Sequence, residues 1–426
     1  MRRAAGGKGS DVGHAWLEVP EADVPDPVVT VLVPAMDEAE TIETFIQWCH
    51  EGIADAGLPG EIVIVDSSKD ETPRIALAGG ARVLHTEPRG LGAAYIEGIK
   101  WVRGSFVILG DADCTYDFRE LARFVEQWKS GSAFVMGSRF KGSIEDGAMP
   151  RLHRYFGTPL TTWMLNRIFG SKFSDIHCGM RGVDADALRA MTISSPSWEY
   201  ASEMIIKAVE MELPTSEVPI DFYADRGTRQ SHMKRKGPLE PFRAGWRNVK
   251  AMLTFGAPYF LRRPGQVILA LGALLFLGLA LGPVDIGSLQ FSATTQLVGA
   301  FLLVLGLQMI LLATVAQVVT DYHGRRRLAL AARFDLNRML LVCSVTTLVG
   351  VLLWIPLVGN YLTNDRQLIG LEPWQTSMAL GGIILIIAAF CIFTAALVIQ
   401  LVSARIAELI GLTRASMPVL ESAPRP

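Results

Sequence analysis

The pattern of polar and apolar positions divides the chain into two regimes. In the first, short apolar runs alternate with longer mixed stretches. Runs at 28–33, 61–65, 82–85, 106–109 and 133–136 predict strands, because each is dominated by β-branched or large apolar residues and bounded by turn formers. The segments between them, 39–56, 71–78, 92–103 and 119–129, predict helices. Strands alternating with helices give an α/β architecture, a mostly parallel sheet covered on both faces. In the second regime, segments 265–283, 297–320, 339–358 and 378–401 hold no charged residue. Each has roughly the twenty residues needed to cross the hydrocarbon core, which predicts an α-helical four-span membrane domain. Gln308 and Gln317, in the second span, read as helix–helix hydrogen-bonding groups.

Charge orients these spans. Arg262 and Arg263 precede the first. Arg325, Arg326, Arg327, Arg333 and Arg338 lie between the second and third, and Arg405 and Arg414 follow the fourth. Residues 284–296 hold no Lys or Arg, and 359–377 hold only Arg366. Positive loops stay cytoplasmic, so both termini and the N-terminal region are expected there. No apolar stretch follows the opening MRRAAGGKGS, which predicts no signal peptide. A net charge of -2 provides no bulk basic field for nucleic acid. Cys49, Cys114, Cys178, Cys343 and Cys391 show no paired spacing, which argues against a disulfide framework or zinc site. Reduced thiols suit a cytosolic domain. At 426 residues the chain has room for more than one domain.

The strand exits carry the candidate chemistry. The first reads VPAMDEAETI, the second VIVDSSKDET and the fourth VILGDADCTY. Asp37, Glu38, Asp66, Asp111 and Asp113 therefore stand at successive carboxyl ends, where open α/β sheets bind ligands. Helix capping accounts for single members of the set, Asp37 or Asp70 for example. It accounts less well for all of them converging on one edge. Asp111 and Asp113 repel each other unless a cation lies between them. A hard divalent ion, Mg²⁺ or Mn²⁺, bridging to a substrate diphosphate fits that pair, whereas the triplet taken alone reads first as a strand-end turn with solvated acids.

The ordered series VPAMDEAETI, IVIVDSSKDET, EPRGLGAAYIEG, DAD, GSR and DIHCGMRG resembles glycosyltransferase family 2, with its GT-A Rossmann-like fold. Within that family the chain is similar to the polyprenyl-phosphate sugar synthases, the dolichol-phosphate mannose synthase type. The resemblance covers residues 28–236. It implies a GT-A domain at 28–236; composition, periodicity and charge add a flexible tail at 1–27, a juxtamembrane helix at 237–264, the spans at 265–402 and a cytoplasmic tail at 403–426. It implies that Pro34, Ala35, Glu38 and Asp66 hold the base and ribose of a UDP- or GDP-linked sugar. Met36 and Asp37 stand where the family usually has an aromatic residue and Asn. Gly92, in Gly90-Leu91-Gly92, would let the backbone approach the donor. Asp111 and Asp113 correspond to the metal motif, with Asp113 the direct ligand.

The resemblance also assigns phosphate binding to Arg139, Arg181 and Arg226, with Asp113, Arg139 and Arg181 as catalytic residues. The family's usual acceptor pattern is Arg, Gly three residues on, then Ser-Lys. Here those places hold Arg226, Arg229, Ser231 and His232. Asp175 and Glu203 are further candidate acids, for which helix caps or surface roles serve equally. Leu239, Phe242, Trp246, Val249 and Leu253, beside Arg243, Arg247 and Lys250, predict an amphipathic helix lying on an anionic membrane surface. The implied reaction is inverting transfer of one sugar to a polyprenyl phosphate. A homo-oligomer stays open, as do two rival functions. One is a processive polysaccharide synthase, although the chain has no Q-x-x-R-W segment. The other is a non-enzymatic membrane protein with an inactive sugar-nucleotide domain.

Overall fold

The computed structural model describes residues 15–225, 246, 249–250, 252–321 and 324–416. It divides the chain into two compact units, Met1–Phe255 and Gly256–Pro426.

The first unit is built on an eight-stranded sheet. Its strands are β1 (Trp16–Glu18), β2 (Val29–Ala35), β3 (Gly60–Asp66), β4 (Arg82–His85), β5 (Phe106–Leu109), β6 (Phe134–Ile144), β7 (Arg181–Asp184) and β8 (Thr215–Phe222). Their order is β1-β4-β3-β2-β5-β7-β6-β8. The β2–β3, β2–β5, β3–β4 and β6–β8 pairs are parallel, and β7 enters antiparallel between β5 and β6. β5 is buried at every position and β2 at all but Pro34, as central parallel strands covered on both faces must be. The helices Ile42–Ala56, Thr72–Ala78, Leu91–Gly98 and Leu121–Lys129 fall where the apolar pattern puts them. The first buries Ile42, Phe45, Ile46 and Cys49, a stripe at three- and four-residue steps.

Three differences from the expected elements have local causes. β6 runs to Ile144 rather than stopping near residue 136, because β8 continues to pair with it beyond a register shift between Ser138 and Ser143. The expected tail 1–27 contains an edge strand, β1. Leu17 is buried, Trp16 stacks on His85 at 3.9 Å, and the register Trp16↔His85 ties it to β4. Three residues are too few to show a strand period. β7 reads RGVD, a charged and glycine-containing sequence that no strand pattern marks, yet neighbours on both sides hold it in the sheet.

In the second unit, Ala257–Gly278, Ala293–Val319, Leu336–Thr363 and Pro373–Glu408 are long and apolar enough to cross a membrane. The first begins ahead of Arg262 and Arg263, so residues 257–264, expected in a separate juxtamembrane helix, belong to it. Of that expected helix, Leu239, Phe242, Arg243 and Arg247 lie outside the described residues. Two spans approach closely through glycine. A Cβ at Gly306 would lie 2.5 Å from the Leu269 backbone nitrogen, and one at Gly272 would lie 2.6 Å from that of Leu303. Small residues permit such backbone contact where no hydrophobic effect drives helices together. Polar side chains add to it. Arg262 donates to Gln317 Oε1 at 2.7 Å, and Gln296 donates to Ser377 Oγ at 2.7 Å. The Oε1 of Gln308 is buried without a hydrogen-bond partner.

Candidate active site

Register places the expected site residues along one edge of the sheet. Ala35 of β2 pairs with Asp66 of β3, and Leu32 with Leu109 of β5, so the three carboxyl ends lie side by side. The loops that follow brace each other. The Asp37 N–H donates to Ser68 Oγ at 2.8 Å, the Lys69 N–H to Asp37 Oδ1 at 2.8 Å, and the Glu38 N–H to Thr72 Oγ1 at 2.8 Å. Asp37 therefore locks two loops together, at a φ of 56°, and does not cap the first helix. Asp66 is buried; loss of hydration raises its carboxyl above the usual range, and hydrogen bonds from Ser68 only partly offset this. Pro34, Ala35, Glu38 and Asp66 thus share one rim.

Beyond β5 the chain turns sharply through Asp111-Ala112-Asp113-Cys114. Tyr95 donates to the Gly110 carbonyl at 2.6 Å, and Thr41 Oγ1 to the Ala112 carbonyl at 3.1 Å. These bonds fix the turn from two different helices. Asp113 Oδ1 accepts from both the N–H and the hydroxyl of Thr115, at 3.0 and 2.6 Å. Asp111 is half-buried but closely surrounded by protein. Lost hydration, then repulsion from Asp113, push its carboxyl up to about 7, although Arg181 and Arg139 oppose the shift. Asp113 is raised as well, first by burial and against the pull of Thr115, with Asp225 contributing repulsion. The structure therefore brings Glu38, Asp111, Asp113, Arg139 and Arg181 into one electrostatic neighbourhood. Sequence reasoning missed Asp225 and Tyr116. The Tyr116 hydroxyl accepts the Gly179 N–H at 2.8 Å, and a Cβ on Gly179 would lie 2.6 Å from Asp111 Oδ2. No local pattern announces that contact.

The arginines are held differently from what their motifs suggest. Arg139 Nε and Nη2 grip Asp175 at 2.6 and 2.9 Å, and both residues are buried. Asp175 also accepts the Arg139 and His177 backbone N–H groups, so it is neither a helix cap nor a surface acid. Two of the three guanidinium nitrogens of Arg139 are committed to this pair. Arg181 is 1% exposed and donates from all three nitrogens to the carbonyls of Cys178, Ala201 and Ile176. Its surroundings fit a fixed positive charge beside Asp111 rather than a direct phosphate contact. His177, half-buried next to these groups, is pushed down to about 4 by lost hydration and by Arg139 and Arg181, against the pull of Asp175, and so is neutral near neutral pH.

Gly92 admits a backbone, but that backbone is the chain's own. A Cβ there would lie 2.1 Å from the Ser195 carbonyl oxygen, and the Ala93 N–H donates to the Pro196 carbonyl at 2.9 Å. Glu203 is the buried clamp that shapes that loop. It accepts from the Ser194 and Ser195 N–H groups at 2.9 and 2.8 Å and pairs with Lys207. Burial would raise its carboxyl, but the bonds from Lys207 and Ser195 prevail and hold it below its usual value. Arg226, Arg229, Ser231 and His232 lie outside the described residues.

The Arg139–Asp175 pair separates stability from chemistry. Asp175→Ala should cost roughly 3–5 kcal/mol by leaving a buried guanidinium unpaired. The apolar double variant Arg139→Met with Asp175→Leu should recover most of that loss in thermal unfolding while activity stays near background. Recovery of activity together with stability would make the pair purely structural.

Residues 30–192 match the family model described as glycosyl transferase family 2. Low-salt glycan biosynthesis hexosyltransferase Agl6 of Haloferax volcanii is 37% identical over 74% of this chain and 75% of that relative. A dolichyl-phosphate hexose transferase of the same organism is 29% identical over 43% of this chain and 76% of its own length. A structure of glucosyl-3-phosphoglycerate synthase from Mycobacterium tuberculosis with Mn²⁺ and UDP-glucose aligns at a TM-score of 0.41 and 21% identity, covering 54% of this chain and 78% of that one. The match of the catalytic core to the family model, and an identity sustained across three quarters of a hexosyltransferase, mean that the chain belongs to glycosyltransferase family 2.

Proposed function

We propose that the protein transfers one hexose from a UDP- or GDP-linked sugar to a polyprenyl phosphate, at the cytoplasmic face of a membrane and with inversion at the anomeric carbon. The observation that carries this reading is the recessed Asp111–Asp113 pair at the exit of β5, beside Arg139 and Arg181, in a chain with four membrane-length helices. A relative named dolichyl-phosphate hexose transferase supports a lipid phosphate as acceptor.

The family's divalent ion, Mg²⁺ or Mn²⁺, fits the residues present. Lost hydration, then repulsion from Asp113, push the Asp111 carboxyl up to about 7, a condition a cation relieves. Among the described residues no three His, Cys, Asp or Glu side chains form a metal-binding group. Asp111 and Asp113 would then hold the ion with substrate oxygens and water completing its shell, as Mg²⁺ prefers. When bound, it would neutralise the departing nucleoside diphosphate.

The chain's own groups do the rest. Buried Asp66 offers a carboxylate to a base N–H, with Pro34, Ala35 and Glu38 around the ribose. Arg139 and Arg181 supply fixed positive charge that is organised before substrate arrives. A phosphate monoester with a second pKa of about 6 is mostly dianionic near neutral pH and needs little help from a general base. Arg226, with Arg229, Ser231 and His232, would hold that dianion against the donor. A cysteine nucleophile is disfavoured: burial pushes the Cys178 thiol up to about 12 and raises Cys49 well above its ordinary value.

Three outcomes test this reading. Asp113→Asn should abolish transfer and weaken donor binding only when Mg²⁺ or Mn²⁺ is present, with Asp111→Asn doing the same less severely; calorimetry with and without metal reads the difference. Unchanged turnover in Asp113→Asn would remove that residue from the site. Arg226→Ala should raise the KM for polyprenyl phosphate roughly tenfold or more while donor affinity stays nearly constant, since a charged hydrogen bond contributes about 1.5–3 kcal/mol. Lost donor affinity with an unchanged acceptor KM would assign Arg226 to the nucleotide instead. For orientation, a cysteine introduced within 324–338 should resist a membrane-impermeant thiol reagent in intact cells, and one within 284–296 should react. The reverse pattern would place the catalytic unit away from cytosolic nucleotide sugars.

A further inference from the structure

The family-matched residues begin at 30, and β1 lies ahead of them. It nevertheless reaches the candidate site. Trp16 pairs with His85 across β1 and β4, His85 with Asp66 across β4 and β3, and Asp66 with Ala35 across β3 and β2. Residues paired in this way project to the same face of a sheet, so Trp16, His85 and Asp66 form one row that ends at the rim shared by Pro34, Ala35, Glu38 and Asp66. The side chains follow the register. The Trp16 ring stacks on the His85 ring, with centres 3.9 Å and planes 15° apart. The His85 Nδ1 atom lies 3.8 Å from Asp66 Oδ2, and its Nε2 atom 3.3 Å from Glu18 Oε2. Glu18 stands two residues beyond Trp16 and so shares its face.

An edge strand recruited only to cover β4 needs neither an acid nor an aromatic ring at these positions. Here the ring fixes the plane of the imidazole and the acid takes its outer nitrogen, which leaves the inner nitrogen facing Asp66. An imidazole with a carboxylate at each nitrogen donates to both only in its charged form, in which both nitrogens carry hydrogen. Lost hydration raises the Asp66 carboxyl; hydrogen bonds from Ser68 oppose this first and the charge of His85 next, while Asp70 adds repulsion. The sheet positions the Asp66 backbone by itself: the Ser67 N–H reaches the Ala35 carbonyl at 3.1 Å and the Thr86 N–H the Asp66 carbonyl at 2.8 Å. What β1 adds is therefore exerted on the side chain. The link from β1 to β2 is moored as well, since Asp23 accepts from Arg103 at 2.8 Å.

We propose that β1 is a positioning element for donor recognition: Trp16 and Glu18 set His85, and His85 orients the Asp66 carboxylate toward the N–H edge of the donor's uracil or guanine base. Trp16, Glu18 and His85 are positioning residues, since they act through Asp66. The proposal rests on the reading that Asp66 serves the base, and it does not depend on the acceptor.

The test is a double-mutant cycle on the full chain, read as UDP and GDP affinity by calorimetry with Mn²⁺ and carried to millimolar nucleotide. His85→Gln should weaken the better-bound nucleotide about fivefold, the size of one ion pair near a surface. Glu18→Gln, a change that spares the core, should act in the same direction by less, because the amide keeps an acceptor but removes the charge. Asp66→Asn should weaken binding as well, and in that background His85→Gln should cost nothing further. A purely structural β1 would lower thermal stability in both backgrounds and show no such coupling. Unchanged affinity in both His85→Gln and Glu18→Gln would overturn the proposal, as would a His85→Gln loss that persists in full beside Asp66→Asn. If Asp66→Asn itself bound nucleotide as well as the unaltered protein does, the base assignment would fall and the proposal with it. A loss confined to Asp66→Asn would leave that assignment standing and remove β1 from it.

Discussion

Negative charge kept partly out of water at the end of β5 is the constraint around which the catalytic unit is arranged. A carboxyl pushed up to about 7 costs free energy whenever it is ionised, and the fold tolerates it by placing two permanent cations nearby. Those cations are costly to bury as well, and each is satisfied separately. Arg139 is matched by Asp175 in a two-point pair, and Arg181 by three carbonyl oxygens. Among the described residues no carboxylate pairs with Arg181, so the carbonyls leave its charge uncompensated by an anion of its own. Its field therefore remains available to Asp111, and to whatever negative charge a substrate brings.

The acidic turn also depends on neighbours that hold it through contacts within the fold. Gly179 has no side chain because Asp111 Oδ2 occupies the place where one would start. Tyr116 holds that glycine through its N–H, and Tyr95 holds Gly110 on the other side of the acidic turn. Glu203 and Lys207 shape the loop that lies across the start of the helix Leu91–Gly98. A buried acid–base pair of this kind adds little net stability, but removing one partner would leave the other charge buried and unpaired.

What the sequence reveals and conceals follows from the range of each interaction. The exits of β2, β3 and β5 are legible because an apolar run followed by an acid is a local pattern, and parallel pairing then aligns the exits without further information. The four spans are legible from composition alone. Partners distant in the chain are not: Asp175 lies 36 residues from Arg139, and Ala201 lies 20 from Arg181. The motif positions of these arginines suggest phosphate ligands, whereas their partners make one a clamped pair and the other a structural tie. Gly92 shows the same limit. Its motif indicates close approach of a backbone but cannot say whose, and the answer lies at Ser195.

The helix Thr158–Phe169 has an exposed side, with Leu160 and Trp163, and a buried side, with Thr158, Thr162 and Leu165. Its outer stripe carries Trp163, and two residues earlier Thr161 meets the His177 Nε2 atom at 2.8 Å. His177 donates its backbone N–H to Asp175, which grips Arg139 beside the acidic turn. With His177 neutral, no ionisation intervenes between the helix and that clamp across the physiological range. The packing is close on this side, with Thr158, Thr162 and Leu165 all buried, so the helix cannot shift without displacing the residues it touches.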